Sequence, residues 1–230
     1  MTTWWPDETA WAGAEHLDAA YVAGYEAKSG YDPSADLEAL RQLGLGPASV
    51  VVDLAAGTGV FATAVASRCR RVIAVDVSPA MTAVLRAKRA ALGLENLSVV
   101  DAGFLSYVHD GEPADFVFCR NALHQVPDFW KGIALGRIHD LLRPGGVLRV
   151  LDLVFDFDPA EAGVRIASWL AGAVEDPARG FTAAELETHV RTEYSTYTWL
   201  FDALLERTGF SIVERSTRRF AYATYTCRRG

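Results

Sequence analysis

Val50-Val51-Val52-Asp53-Leu54-Ala55-Ala56-Gly57-Thr58-Gly59 is the stretch whose reading decides the fold. A five-residue run of strand length, rich in β-branched residues, ends in a glycine turn, and Val60 to Arg68 then reads as a helix. The same pattern repeats downstream. Val72-Ile73-Ala74-Val75 is a second strand closed by Asp76, and Ser78-Pro79 supplies an N-cap and a first-turn proline for a helix that Gly93 is placed to end. Leu97–Val100, closed by Asp101, reads as a third strand and Asp115–Cys119 as a fourth. A helix from about Pro127 to Leu142 stops at Arg143-Pro144-Gly145-Gly146, and Val147–Leu153 follows as a fifth strand. Strands apolar on both faces and separated by helices predict parallel βαβ units in an open, doubly wound α/β sheet.

Beyond the fifth strand the character changes. Phe155 to Tyr194 is mixed and rather helical, with Thr182-Ala183-Ala184-Glu185 fitting a capping box between Phe181 and Leu186. A helix near Trp199–Thr208 stops at Gly209, and Phe210–Thr217 and Phe220–Cys227 read as two strands. So short a link demands an antiparallel hairpin.

The glycine turn carries chemistry as well as shape. Glycines there let backbone approach a ligand closely, and the helix that follows presents free N–H groups to it. Gly57-x-Gly59-x-x-Ala62 also fits the dinucleotide fingerprint, with Asp76 near the expected distance downstream. Packing of strand on helix is the other use of such a turn. The acids separate these readings: Asp53, Asp76 and Asp101 close three successive strands, at the rim where open α/β sheets bind ligands. Carboxylates there repel a pyrophosphate and suit a ligand with cationic groups and many N–H or O–H donors.

The ordered series VVDLAAGTGVFA, VIAVDVSPAM, VVDAGFL, ADFVFCRNALHQV and LLRPGGVLRVLDLV resembles the motifs of the class I, Rossmann-like S-adenosylmethionine (SAM)-dependent methyltransferases. It is most similar to the small-molecule branch that includes the ubiquinone/menaquinone-biosynthesis enzymes, which also carry Arg-Asn where Arg120-Asn121 stand. Ala55-Ala56 departs from the more usual Gly-Cys or Gly-Ala, a change tolerable where only backbone is used, and Phe155–Tyr194 matches no subfamily of nameable substrate. The resemblance implies a mostly parallel seven-stranded sheet of order 3-2-1-4-5-7-6, strand 7 antiparallel, with a helical cap. Residues 1–230 would form a single domain, with 1–48 as an N-terminal helical cap segment and 155–195 as a cap insertion.

It also implies roles. Asp53 would hold the glycine loop and face the methionyl ammonium, while Ala55, Gly57 and Gly59 give backbone access. Asp76 would accept from the ribose hydroxyls, and Val77 and Met81 would flank the adenine. Asp101 would accept from the adenine amino group, the Ala102 backbone would read a ring nitrogen, and Phe104 would pack beside it. Carbonyls near Arg120 and Asn121 would meet the ammonium or lie beneath the sulfonium. Arg120 itself pairs either an acceptor carboxylate or Asp128 or Asp101. His124 is the histidine nearest the transferable methyl, as general base or as a residue bonded only to backbone. Tyr21, Tyr25 and Trp199 are the aromatic residues chosen for the acceptor pocket. His16, His109, His139 and His189 read as surface or lid residues without metal spacing, and Cys119 as a packed small hydrophobe.

Composition bounds the partners. Of 230 residues, 22 are Lys or Arg and 29 Asp or Glu, a net charge of −7 that disfavours a grip on nucleic-acid phosphates. The three cysteines are far apart and make no disulfide framework or zinc site, so no metal is expected. The N-terminus MTTWWPDETAW is unlike a signal peptide, and no apolar stretch spans a bilayer. The expectation is a cytoplasmic enzyme, monomer or homodimer, transferring a methyl group from SAM to a small organic acceptor and releasing S-adenosylhomocysteine (SAH). The alternatives are a SAM-fold enzyme of another reaction type, such as cyclisation or decarboxylation, an NAD-dependent oxidoreductase, and a non-enzymatic binding module.

Overall fold

A computed structural model describes residues 4–230; Met1–Thr3, the first residues of the expected cap segment, lie outside it. Five strands run parallel: β1 (Val50–Leu54), β2 (Arg71–Asp76), β3 (Leu97–Asp101), β4 (Ala114–Arg120) and β5 (Leu142–Phe155). A two-residue strand, β6 (Thr196–Tyr197), pairs with the end of β5. The hairpin β7 (Phe210–Arg218) and β8 (Tyr222–Arg229) completes the sheet in the order β3-β2-β1-β4-β5-β8-β7, with β8 antiparallel to both neighbours. Once β6 is counted, this is the expected order.

Two boundaries differ from the sequence reading. The helix before Arg143-Pro144-Gly145-Gly146 ends at Leu141, and β5 absorbs the turn, with a register shift against β4 between Ala114 and Phe116. The last strand starts two residues late because Arg219 and Phe220 form the hairpin turn, both at positive φ (51° and 46°). Phe220 has a tertiary reason to be there: its carbonyl accepts the Asp156 N–H and its ring packs against Phe157.

Alternation along β1 sorts the helices onto two faces. Val50, Val52 and Leu54 share a core with α6 (Asp128–Leu141) and α9 (Thr198–Arg207). Val51 packs with α3 (Ser34–Gln42), α4 (Val60–Ala66) and α5 (Pro79–Leu92), where Phe61 and Phe118 stack 3.8 Å apart. α5 begins as its sequence predicts, with the Ser78 hydroxyl accepting the Met81 N–H, and ends on Gly93 at φ 63°. The remaining helices, α1 (Ala14–Leu17), α2 (Ala19–Ser29), α7 (Ala162–Leu170) and α8 (Ala183–Thr192), lie outside these layers, and α8 opens on the expected Thr182/Glu185 capping box.

Ion pairs tie the N-terminal and later helices to the sheet and to each other. Asp36 on α3 pairs with Arg149 of β5 at 2.7 Å, both buried, and Lys28 on α2 reaches Glu185 on α8 at 2.5 Å. No helix among the described residues is long and apolar enough to cross a membrane.

The glycine turn splits into two kinds of position. Gly59 sits at φ 82°, and a Cβ there would lie 2.0 Å from Leu85 Cδ1, so strand–helix packing alone demands it. Ala55 sits at φ 58°, a conformation that disfavours any side chain. Ala55→Gly is expected to stabilise the fold by about 0.5–1 kcal/mol, and Gly59→Ala to destabilise it by about 2 kcal/mol or more. Thermal denaturation of both variants checks the opposite signs.

Candidate functional site

The carboxyl ends of β1, β2 and β4 open onto a cleft of about 710 Å³. Ala55, Gly57, Asp76, Val77, Met81, Ala102, Phe104, Arg120 and Asn121 all line it, so nine expected cofactor residues share one wall. Asp76 ends β2 almost fully buried, and its two oxygens accept the Gly57 N–H at 2.7 Å and the Ser78 N–H at 2.8 Å. Each oxygen keeps a lone pair toward the cleft. Burial raises the Asp76 pKa, opposed by those two amides.

Asp53 lies beside the cleft in a smaller recess that also contains Gly57, Tyr25, Tyr31 and Arg120. It is 2% exposed, and its Oδ2 has no hydrogen-bond partner among the described residues. Burial, and then the charge of Asp76, push its pKa well above the usual carboxylate range. Arg120 stands over the Tyr31 ring, 4.0 Å from its centroid, and the Tyr31 hydroxyl donates to Asp36 at 2.9 Å. Neither internal partner weighed for Arg120 engages it: Asp128 pairs with Lys131 at 2.7 Å and Asp101 with Arg86 at 2.6 Å.

Three expected cofactor contacts are placed differently. The Asp101 carboxylate turns away from the cleft onto Arg86 of α5, which holds its pKa low. The Ala102 N–H already donates to the Asp76 carbonyl at 3.0 Å, continuing the β2–β3 ladder. Gly59 lines neither the cleft nor the recess, for the packing reason given above. The cleft is closed instead by a residue the sequence did not single out. Glu8, in the 3₁₀ turn Glu8–Trp11, accepts the Leu105 and Ser106 N–H groups at 2.7 and 2.8 Å and stands against Gly103. Nothing local marks Glu8, because its partners lie nearly a hundred residues away.

A second cavity of about 1190 Å³ adjoins the first, and the two share His16, Tyr25, Asn121 and Gln125. Tyr21 and Tyr25 line it as expected. Trp199 does not: it is 56% exposed on the first turn of α9 and stacks on Tyr197 at 5.8 Å. His124 lies in the wall, on the 3₁₀ turn Leu123–Gln125 that follows β4. Its Nδ1 donates to Asp152 and its Nε2 is 3.1 Å from Glu193. Burial opposes its charge, but the two carboxylates outweigh that and raise its pKa to about 9. At neutral pH His124 is therefore protonated, the wrong state for a general base.

Asp152 explains why the turn sits there. This buried carboxylate on β5 also accepts the Ala122 and Leu123 N–H groups at 3.2 and 2.7 Å. Its signal in the sequence is a lone acid inside the apolar run Val150–Val154. His189 is not a surface residue: it is 8% exposed, and its ring lies 5.0 Å from that of His124. Cys119 is fully buried among apolar neighbours, and burial pushes its thiol well up.

The Asp53 geometry yields a sign. Its pKa in the folded chain exceeds the unfolded value near 3.9, so it stabilises the fold at low pH and that contribution is lost as pH rises through the raised value. Asp53→Asn should therefore melt higher than the parent at about pH 7.5, with the difference shrinking toward about pH 4. A melting series across that range checks it.

Comparison with known proteins agrees with this architecture. The protein-family model described as "Methyltransferase domain" matches residues 51–146. An uncharacterised methyltransferase of Geobacillus kaustophilus is 29% identical over 164 residues, covering 70% of this chain and 69% of that protein. Among solved structures, a SAM-dependent methyltransferase from Aquifex aeolicus superposes with a TM-score of 0.64 at 16% identity, over 93% of this chain and 99% of that one. The magnesium protoporphyrin IX methyltransferase of Synechocystis, with bound SAM, gives 0.59 at 16% identity, over 96% and 88%. At such identity these likenesses establish the fold. The strand order and these superpositions give the chain the Rossmann-like fold of those methyltransferases, and the methyltransferase-domain match lies within it, over residues 51–146.

Proposed function

We propose that this protein transfers a methyl group from SAM to a small organic acceptor, with SAM in the cleft and the acceptor in the adjoining cavity. The observation that carries the reading is the recess beside the glycine loop. There, a buried carboxylate oxygen of Asp53 and an Arg120 guanidinium, the first without a hydrogen-bond partner and the second without an ion pair among the described residues, line the same space. A zwitterionic amino-acid end fits that pair of charges, and a pyrophosphate does not, since Asp53 would repel it. The relatives named as methyltransferases and the fold they share support the same reading.

When bound, SAM supplies an activated sulfonium methyl, so the chain has little covalent chemistry to do. Asp76 presents two carboxylate lone pairs to the ribose hydroxyls, a charge-assisted pairing stronger than a neutral one. Arg120, fixed in its place by Tyr31 and in turn by Asp36, holds the carboxylate end. Met81, Val77 and Phe104 form the apolar slot for the base. Tyr25 and Asn121 face both cavities and so border the line of transfer. Alignment of acceptor, methyl and sulfur with water excluded can contribute about 7–11 kcal/mol. The segments 1–48 and 155–195 act as the walls of the acceptor cavity within one domain: Tyr21 comes from the first, and Phe181 and His189 from the second.

Calorimetric titration tests the assignment. SAH is expected to bind one per chain and to resist competition by NAD. Asp76→Ala should weaken SAH by about 2–3 kcal/mol. Unchanged SAH affinity in that variant, or tight NAD binding in place of SAH, would overturn it.

A further inference from the structure

The wall of the second cavity holds three donor atoms that no step above uses. His124 Nε2, His189 Nδ1 and a Glu193 carboxylate oxygen lie within 4.8 Å of one another, from a turn after β4 and from the end of α8. Both histidines are more than nine-tenths buried. Glu193 Oε2 stands 3.1 Å from His124 Nε2 and 2.7 Å from His189 Nδ1, yet it is buried without a hydrogen bond of acceptable geometry.

The far nitrogens of both rings are already engaged. His124 Nδ1 donates to Asp152, and His189 Nε2 lies 2.7 Å from the Ser195 hydroxyl. A neutral imidazole carries one proton. With that proton on the far nitrogen of each ring, the near nitrogens turn two lone pairs toward a carboxylate. Three lone-pair donors converging in a buried space repel one another unless a proton or a metal cation sits between them. The backbone holds the donors in this position, because the Tyr194 N–H donates to the His124 carbonyl at 2.7 Å, clamping the residue after Glu193 to the turn.

We propose that His124, His189 and Glu193 form a binding site for a first-row divalent metal ion, whose open coordination positions face the cavity and take an oxygen of the acceptor. Two nitrogens and one carboxylate oxygen are the donor set of open zinc sites and of non-haem iron sites. Ligand atoms about 2.1 Å from one such ion and tetrahedrally disposed lie about 3.4 Å apart, so small side-chain shifts close the site. The outer partners have the form metal-bound histidines require, since each fixes a tautomer through the second ring nitrogen. Charge points the same way: with both imidazoles neutral, Asp152 and Glu193 leave two negative charges that a divalent ion balances. The ligand class follows from the donors: an acceptor with an ionisable hydroxyl or enol oxygen, which a divalent ion binds and acidifies. That last part rests on the reading of this cavity as the acceptor pocket; the metal site does not.

Sequence spacing shows only half of this group. His189 and Glu193 are four residues apart at a helix end, but His124 joins them from 65 residues upstream.

The experiment is titration of the tag-free, metal-stripped chain with Co²⁺, followed by visible absorption and calorimetry, beside an SAH titration of the same sample. The expected result is one Co²⁺ per chain with intense low-symmetry d–d bands, not displaced by tenfold Mg²⁺. His189→Ala and Glu193→Gln should each weaken Co²⁺ at least about 100-fold, and Ser195→Ala about 10-fold, the scale of outer-partner losses. All three should retain SAH binding, which also shows that they fold. A chain that binds SAH but no stoichiometric Co²⁺, or Co²⁺ binding that survives both ligand variants, would overturn the metal site. Co²⁺ binding as expected without SAH binding would keep the site and remove the cofactor reading.

Discussion

A buried carboxylate must be compensated, and much of this site follows from how completely each one is. Asp152 is satisfied by two backbone amides of the Ala122–Leu123 turn and by the His124 imidazole. That bonding forces the chain after β4 to curl into the turn that separates the two cavities. Removing a partner from such a group is strongly destabilising, because it leaves an unpaired buried charge. Asp76 is half satisfied, with one amide on each oxygen and the remaining lone pairs facing the cleft. Asp53 is the least satisfied, with one oxygen unpartnered. The gradient runs from Asp152, which holds the fold, to Asp53, the group that the proposed function leaves for a ligand.

The cap is tied to the sheet by the same device. Asp36 and Arg149 form a buried pair across the α3–β5 contact, and Asp36 also accepts from Tyr31, on which Arg120 rests. A single chain of contacts therefore runs from the middle of the sheet to Arg120, the cation proposed to hold the methionyl carboxylate. The Lys28–Glu185 pair, part-buried, joins the two cap segments beside the second cavity, linking elements far apart in sequence.

Local rules made much of this legible before the structure. The β1 run, the glycine turn, the Ser78-Pro79 start and Gly93 end of α5, and the Thr182/Glu185 box all depend on neighbours within a few residues, and each was read correctly. What escaped depends on side-chain direction or on distant partners. Asp101 closes β3 as read, but Arg86 one strand–helix unit back turns its carboxylate outward. The Ala102 amide is spent on the sheet ladder, which a motif does not reveal. Trp199 and His189 exchanged their expected places because helix phase, not composition, decides which faces inward. Glu8 and the His124–His189–Glu193 group are assembled across the chain, and only the lone acid at Asp152 and the four-residue spacing of His189 and Glu193 gave any sign of them.

Under the proposed function the two cavities work as one, the cleft holding SAM and the chamber what receives its methyl. The most direct measurement is mass analysis of a pool of small hydroxylated compounds incubated with the protein and SAM. The account predicts a product one methylene unit heavier than its precursor, formed in step with SAH and absent with an Arg120→Met variant. SAH formation without any such product, or no SAM turnover by a chain that binds SAM in the cleft, would contradict it.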